Sequence, residues 1–153
     1  MMDLQATEDL ALALTRFDLR RMPARVLAGL LLTDEEAITA VQIAGNLQVG
    51  SGSVWAAVDV LAQRGLIEEV PTPGTRSRRY RCPDQVGLRL MATFSTALRV
   101  MGDAARRGIE HVGADGVAGR RRMEALRTFC EHLTRDLPEV LDRLDEVDRS
   151  RAG

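Results

Sequence analysis

Four arginines lie close together near the middle of the chain, at Arg76, Arg78, Arg79 and Arg81. They follow a Pro-Gly turn, and the sequence places them on the second strand, 76–82, of a small hairpin whose first strand is 66–70. A guanidinium carries a permanent charge and a rigid fork of donors that fits phosphate oxygens. The chemistry that this cluster favours is therefore the binding of a polyanion.

Two helices joined by a tight turn are predicted just before this hairpin. Thr39 is a good N-cap for the first helix, and the turn falls at residues 48–50. The second helix spans residues 51–64, and Gly65 suits the position that ends it. Helix, turn, helix and hairpin in this order predict a winged helix-turn-helix.

The second helix of this block has an apolar face and an exposed face. By helical geometry, the residues that must pack inward are Val54, Ala57, Val58 and Leu61. The opposite face presents Gly52, Ala56, Asp59 and Gln63, flanked by Ser53 and Trp55. The exposed face therefore has almost no positive charge, and the basic character of the block is concentrated in the hairpin.

The block 39–82 resembles the winged-helix domain of MarR-type transcriptional regulators, in particular their GbsR-like branch. The matching residues are Leu47-Gln48-Val49, Gly52-Ser53-Val54, Leu61, Gly65-Leu66-Ile67 and the arginine-rich strand with Tyr80. The resemblance implies a homodimer whose interface is formed by the helices that flank the winged domain. It also implies a recognition helix in the major groove and a wing on the DNA backbone or in the minor groove.

The resemblance assigns DNA contacts to Ser51, Ser53, Trp55, Ala56, Arg76, Arg78 and Arg79. The chain departs from the family at the helix start, where Gly50 and Ser51 replace a common Ser-Arg pair, and at Asp59, which replaces a basic residue. We therefore expect the wing arginines to supply most of the affinity through phosphates. Hydroxyl and apolar groups of the helix then supply a modest specificity.

The predicted fold class is mainly α with a small β-wing, in which dimerisation helices flank the winged helix-turn-helix on both sides. We divide the chain into N-terminal packing or dimerisation helices (1–38), a winged domain (39–83) and a C-terminal helical dimerisation region (84–150). In the first region, Thr7 is the predicted N-cap of the first helix, and residues 24–32 form the second. The segment 33–38 is expected to be an acidic turn.

Two long helices, from about residue 84 to 109 and from about 120 to 147, are predicted in the C-terminal region. Apolar residues repeat in the second of them at alternating spacings of three and four: Met123, Leu126, Cys130, Leu133, Leu137, Val140, Leu144 and Val147. This heptad pattern predicts helix–helix association. Pro138 is expected to break the helix locally.

Several residues allow two interpretations. Met91, Phe94 and Met101 could line a pocket for a small-molecule effector, whereas their helical spacing favours a plain core stripe. Trp55 either contacts DNA or packs against a neighbouring element, and Arg81 either faces DNA or pairs with Glu68 or Glu69.

The remaining reactive residues suggest no chemistry of their own. A redox pair of Cys82 and Cys130 lacks an activating arrangement. Residues i and i+2 of a helix point apart, so Cys130 and His132 cannot chelate a metal together. We find no catalytic motif and expect no enzyme activity, no cofactor and no metal.

The net charge is −1, and every one of the 21 basic residues is arginine. Without a signal sequence or a long apolar segment, the sequence predicts a cytoplasmic protein with no membrane partner. Its predicted partners are double-stranded DNA, a second copy of itself and an unidentified effector. The alternative function is a winged-helix protein–protein interaction module, which the neutral helix and the acidic C-terminal region would suit.

Overall fold

A computed structural model describes residues 3–113 and 115–152 of the chain. Asp3 begins the first helix, α1 (Leu4–Leu14), because its carboxylate accepts hydrogen bonds from the amides of Gln5 and Ala6. The prediction that Thr7 is the cap was wrong. Thr7 lies one turn inside the helix, fully buried, and its hydroxyl donates to the Asp3 carbonyl over 2.8 Å.

A single 3-10 turn (Thr15–Phe17) leads to α2 (Arg21–Leu32), which starts three residues before the predicted helix 24–32. Its buried residues cover most of its circumference, so α2 is the central helix of the N-terminal part. Arg25 on α2 donates to the Glu8 carboxylate of α1 over 2.6 Å and to the Leu47 carbonyl over 3.2 Å. One side chain therefore joins three helices.

The short helix α3 (Ala40–Leu47) and the helix α4 (Ser51–Gln63) form the predicted helix-turn-helix. Thr39 and Gln42 make a reciprocal capping box at the start of α3, as the sequence indicated for Thr39. Gln48 ends α3 in the left-handed conformation, with φ of 54°. Gly65 ends α4 at φ 68°, and Leu66 N–H closes the turn onto the Leu61 carbonyl over 2.9 Å.

The sheet has three short antiparallel strands in the order β1 (Ile38–Thr39), β3 (Arg79–Arg81), β2 (Glu68–Val70). The predicted strands 66–70 and 76–82 were too long, because Leu66 N–H bonds to the Leu61 carbonyl at the end of α4 and Ser77 N–H bonds to the Thr75 hydroxyl in the loop. The loop from residue 71 to 78 separates β2 and β3. We call residues 68–81 the wing.

The strand β1 was missed, since the segment 33–38 was predicted to be a turn. Ile38 lies opposite Tyr80, and both side chains are almost fully buried. The core of this part of the chain is aliphatic and is drawn from α1 to α4, from β1 and from the residues just before the wing. Its largest fully buried members are Leu27, Ile38, Ile43, Leu47, Leu61 and Leu66.

The chain divides into two compact units between Arg89 and Leu90. The helix α5 (Val86–His111) begins in the first unit, two residues after the predicted start. In the second unit, Leu98, Gly102 and Ala105 form the buried face of α5, and Cys130 is the buried residue of α6 (Val117–Ala152). A methyl group at Gly102 would lie 3.1 Å from Cys130 Cβ, so glycine allows the two helices to approach closely.

The predicted break at Pro138 does not occur, because α6 runs through it without interruption. A proline removes one backbone hydrogen bond and costs a helix about 3 kcal/mol locally. The flanking residues are mostly Leu, Glu, Arg and Asp, and residues of the predicted apolar stripe lie on both sides of the proline, so the helix is sustained in both directions. Among the described residues, no helix is both long and apolar enough to cross a membrane.

Candidate nucleic-acid interface

The helix α4 has the two faces that the sequence predicted. Val54, Ala57, Val58 and Leu61 are buried. Ser51, Ser53, Trp55, Ala56 and Asp59 are exposed. Gly50 gives the first turn of α4 no side-chain cap, and the Ser53 hydroxyl donates back to the Gly50 carbonyl over 2.7 Å. The first-turn amides therefore point outward uncapped, at the positive end of the helix dipole.

Trp55 links this exposed face to the wing. Its ring meets that of Tyr80 edge to face, with the centroids 6.4 Å apart and the planes at 83°. Tyr80 is buried, whereas 42% of Trp55 is exposed. Burial raises the pKa of the Tyr80 hydroxyl. Trp55 thus braces α4 against β3, the packing that the sequence offered as one interpretation, and still presents a surface to solvent.

The four wing arginines are not equivalent. Among the described residues, no carboxylate lies within ion-pair distance of Arg76. Arg78 lies 3.7 Å from Glu69, and 62% of its side chain is exposed. Arg76 and Arg78 are therefore the two arginines that the structure leaves most available at the surface.

Arg79 and Arg81 make hydrogen bonds that hold the wing in place. Arg79 donates to the Ala37 carbonyl next to β1, and its Nε is buried without a hydrogen-bond partner among the described residues. Arg81 donates through Nε and Nη2 to the Glu68 carboxylate over 3.2 and 3.1 Å. The Glu68 pairing is the one that the sequence offered for Arg81, whereas the inward role of Arg79 was not foreseen.

Glu68 joins the wing to the start of α5. Besides Arg81, it accepts from Arg89 Nη2 over 2.8 Å, and Arg89 Nη1 donates to the Gly65 carbonyl over 2.6 Å. The hydrogen bond from Arg81, followed by the bond and charge of Arg89, holds the Glu68 pKa below its usual value. The end of α4, the first wing strand and the start of α5 are thereby fixed to one another. Nothing local in the sequence marked Arg89 for this role.

The predicted effector residues lie on α5 in the second unit. Met91 is half-buried, while Phe94 and Met101 are 46% and 40% exposed. A cavity of about 250 Å³ in this unit is lined by other residues, which include Leu98, Gly102 and Cys130. The described cavity is thus not the one that the sequence suggested, and the three residues are not gathered around it.

The two cysteines occupy protected positions. Burial, followed by the charge of Asp84, raises the pKa of the Cys82 thiol to about 11, so this thiol stays protonated at neutral pH. Cys130 is 1% exposed. Within the described residues, no group of three His, Cys, Asp or Glu side chains could hold a metal ion.

Comparison with solved structures identifies the fold. A crystal structure of a transcriptional regulator aligns with a TM-score of 0.76 and 22% identity, over 94% of this chain and 97% of that one. A possible transcriptional regulator from Methanosarcina mazei Go1 aligns with a TM-score of 0.51 and 13% identity, over 65% of this chain and 86% of that one. A cysteine-to-serine mutant of MarR from E. coli, complexed with operator DNA, aligns with a TM-score of 0.44 and 20% identity, over 79% of this chain and 84% of that one. No curated protein sequence matches the chain.

The first two alignments define a winged-helix fold with flanking helices, which confirms the predicted fold class. Residues 86–147, which are α5 and most of α6, match the family model of MmpR5-like MarR family transcriptional regulators. The match covers less than half of the chain, so it is a likeness to that family over the C-terminal helices. This family and the first of the aligned structures are described as transcriptional regulators.

Proposed function

We propose that this chain is a homodimeric DNA-binding transcriptional regulator of MarR type, in which α4 enters the major groove and the wing contacts the backbone or minor groove. The observation that carries the proposal is the pairing of an exposed α4 face with an arginine-bearing wing, held together by Trp55 and Tyr80. The likeness to the GbsR-like branch, drawn from residues 39–82, is part of the same proposal.

The proposed DNA contacts fall into two groups. Arg76 and Arg78 would bind phosphates from the wing, while the uncapped first turn of α4 offers backbone amides to a further phosphate. Ser51, Ser53, Trp55 and Ala56 would approach the base edges. Arg79 belongs to the proposed contact set with a narrower role, since its Nη2 group already donates to the Ala37 carbonyl.

The proposed dimer rests on the apolar stripe of α6. Its N-terminal members are half-buried or buried in the single chain, whereas Val140, Leu144 and Val147 are 40%, 51% and 44% exposed. Aliphatic residues that continue a heptad into solvent are typical of a helix with an unfilled partner position. Together with residues 1–38, the region 84–150 would form the interface around the winged domain 39–83.

An effector is a further part of the proposal. Met91, Phe94 and Met101 present adaptable apolar surface on α5, which would suit a small apolar ligand. A cytoplasmic location is proposed for the same protein, as expected of a regulator that must reach DNA.

The test is direct measurement of duplex binding by fluorescence anisotropy at several salt concentrations. The double variant Arg76→Ala/Arg78→Ala should bind random and operator duplexes about ten-fold more weakly at low salt, because two phosphate contacts are lost. Its salt dependence should be shallower, by about 0.9 in log–log slope for each lost phosphate contact. Unchanged affinity in this variant would show that the wing does not contact DNA.

The control variant Arg143→Ala/Arg151→Ala removes the same charge from exposed positions of α6 and should bind like the wild type. Genomic fragments captured by the purified protein would then supply the operator. If the wild-type chain retains no duplex even at low salt, the protein–protein interaction module is the better description, since the neutral face of α4 and the acidic C-terminal region would suit such a role.

A further inference from the structure

The wing carries its own counter-charges. Four carboxylates lie within 4 Å of its arginines: Glu69 at 3.7 Å from Arg78, Glu35 at 3.7 Å from Arg79, Glu36 at 3.9 Å from Arg81 and Glu68 at 3.1 Å from Arg81. Three of the four wing arginines therefore have an acidic neighbour before any DNA arrives. Glu68 is already engaged in the structural contacts of Arg81 and Arg89.

Glu35 and Glu36 reach the wing from outside it. They precede β1, whose two residues pair with β3 in the register Ile38 with Tyr80 and Thr39 with Arg79. The bond from Arg79 to the Ala37 carbonyl fastens the same segment to the wing. The sheet thus holds the backbone that bears these two carboxylates close to β3, while 52% of the Glu35 side chain and 89% of the Glu36 side chain are exposed.

These contacts are loose enough to be displaced by a phosphate. At 3.7 and 3.9 Å they exceed hydrogen-bond length, and exposed ion pairs of this kind contribute little to stability. A phosphate approaching the wing must overcome the repulsion of these carboxylates. An arginine that is already neutralised by a carboxylate also releases fewer counterions when DNA binds.

We propose that Glu35 and Glu36 are affinity-limiting residues, which neutralise the wing and keep its attraction for DNA of any sequence low. The inference rests on the proposed function. A genome offers a vast excess of non-specific sites, and a strongly basic wing would be retained on them. With its wing partly neutralised and its α4 face nearly uncharged, the protein would depend more on fitted contacts at its operator.

The test is the double variant Glu35→Gln/Glu36→Gln, measured by anisotropy on a random duplex across a salt series. We expect it to bind about three- to ten-fold more tightly than the wild type at low salt, as two exposed ion pairs would allow. The log–log salt slope should become steeper by up to about 0.9, through Arg79, because Arg81 remains paired with Glu68. Glu36→Gln alone should show part of the same gain, and the high exposure of this side chain separates the gain from any folding defect.

The matched control is Glu131→Gln/Asp145→Asn, which likewise removes two negative charges, here from the α6 ion pairs with Arg127 and Arg149. If the control gains as much affinity, the effect comes from net charge and the inference is overturned. A wild type that binds duplex, with a Glu35/Glu36 variant unchanged in affinity and slope, overturns the inference and leaves the proposed function standing. Failure of the wild type to bind any duplex would instead remove the proposed function itself.

Discussion

Glu68 shows how one side chain can fix the geometry of the proposed DNA-binding surface. Its two oxygens are shared between Arg81 on β3 and Arg89 on α5, so the wing and the start of α5 meet at a single carboxylate. Because the group is partly exposed, at 32% of its side chain, these bonds are screened by solvent and the net stabilisation is modest.

Replacement of this carboxylate should give a pH-dependent loss of stability. The folded protein lowers the Glu68 pKa below its reference value of 4.5, so the ionised group stabilises the fold above that pH. Glu68→Gln should lower the free energy of unfolding by about 1 kcal/mol or less at pH 7. The difference from wild type should vanish as the pH falls through the folded-state pKa, below 4.5.

Urea unfolding between pH 3 and 8 measures this effect. Glu139→Gln, an exposed change of the same kind on α6, should leave stability unchanged across the range. A loss for Glu68→Gln that persists at the lowest pH would mean that packing, rather than the ion pairs, accounts for the contribution of Glu68.

At the level of elements, the turn between α3 and α4 places a residue other than glycine in the left-handed conformation. Gln48 sits at φ 54°, where the side chain of an L-residue is crowded by its own backbone. Asp18, after the 3-10 turn, has a similar φ of 59°, but its carboxylate and carbonyl both accept from Arg64. Both residues therefore adopt the same unfavourable backbone conformation, and at Asp18 the hydrogen bonds from Arg64 offset part of its cost.

Gln48→Gly should raise the free energy of unfolding by up to about 1 kcal/mol, because glycine has no Cβ to be crowded in this conformation. Asp18→Gly should gain less or lose stability, since it removes the carboxylate that Arg64 contacts over 3.2 Å. Urea denaturation of both variants makes the comparison. Destabilisation by Gln48→Gly would show that the Gln48 side chain contributes more than its backbone strain costs.

Local elements could be predicted wherever the residues that define them lie close together in the sequence. The Thr39 cap, the Gly65 helix end and the buried face of α4 depend on residues within a few positions of one another, and each was confirmed. The strand β1 could not be predicted, because two residues are too few for any periodicity. Its extended shape comes from pairing with Tyr80, far along the chain.

The candidate site was harder to predict than the fold for the same reason. Sequence alone identified the wing arginines as a cluster, but the carboxylates that lie beside Arg79 and Arg81 come from a distant segment brought there by the β1–β3 pairing. Which arginines stay available at the surface is therefore a property of the register of the sheet. No spacing within residues 76–81 contains that information.

On the scale of the whole molecule, the exposed end of the apolar stripe on α6 is where we propose that two copies of the chain associate. If Leu144 packs in a homodimer, a charge there would be buried against apolar partners and the dimer would weaken strongly. Leu144→Glu should shift the protein toward monomer by at least about ten-fold in dissociation constant, which corresponds to about 1.4 kcal/mol. Light scattering coupled to size-exclusion chromatography, over a range of concentrations, gives the measurement.

Ser150→Glu adds the same charge near the same end of α6, at an exposed polar position, and should assemble like the wild type. A wild-type chain that is monomeric at micromolar concentration would contradict the proposed dimer outright. If both variants dissociate equally, the added charge at the end of α6, and not the loss of an apolar stripe residue, weakens the dimer.

Trp55 is the only tryptophan of the chain, and its edge-to-face partner Tyr80 is the only tyrosine. The intrinsic fluorescence of this protein therefore originates almost entirely at the junction of α4 and the wing. Emission from Trp55 would report the local environment of that junction without any attached dye, and energy transfer from Tyr80 would report whether the two elements stay in contact. The chain thus contains a natural optical probe at the surface where DNA is proposed to bind.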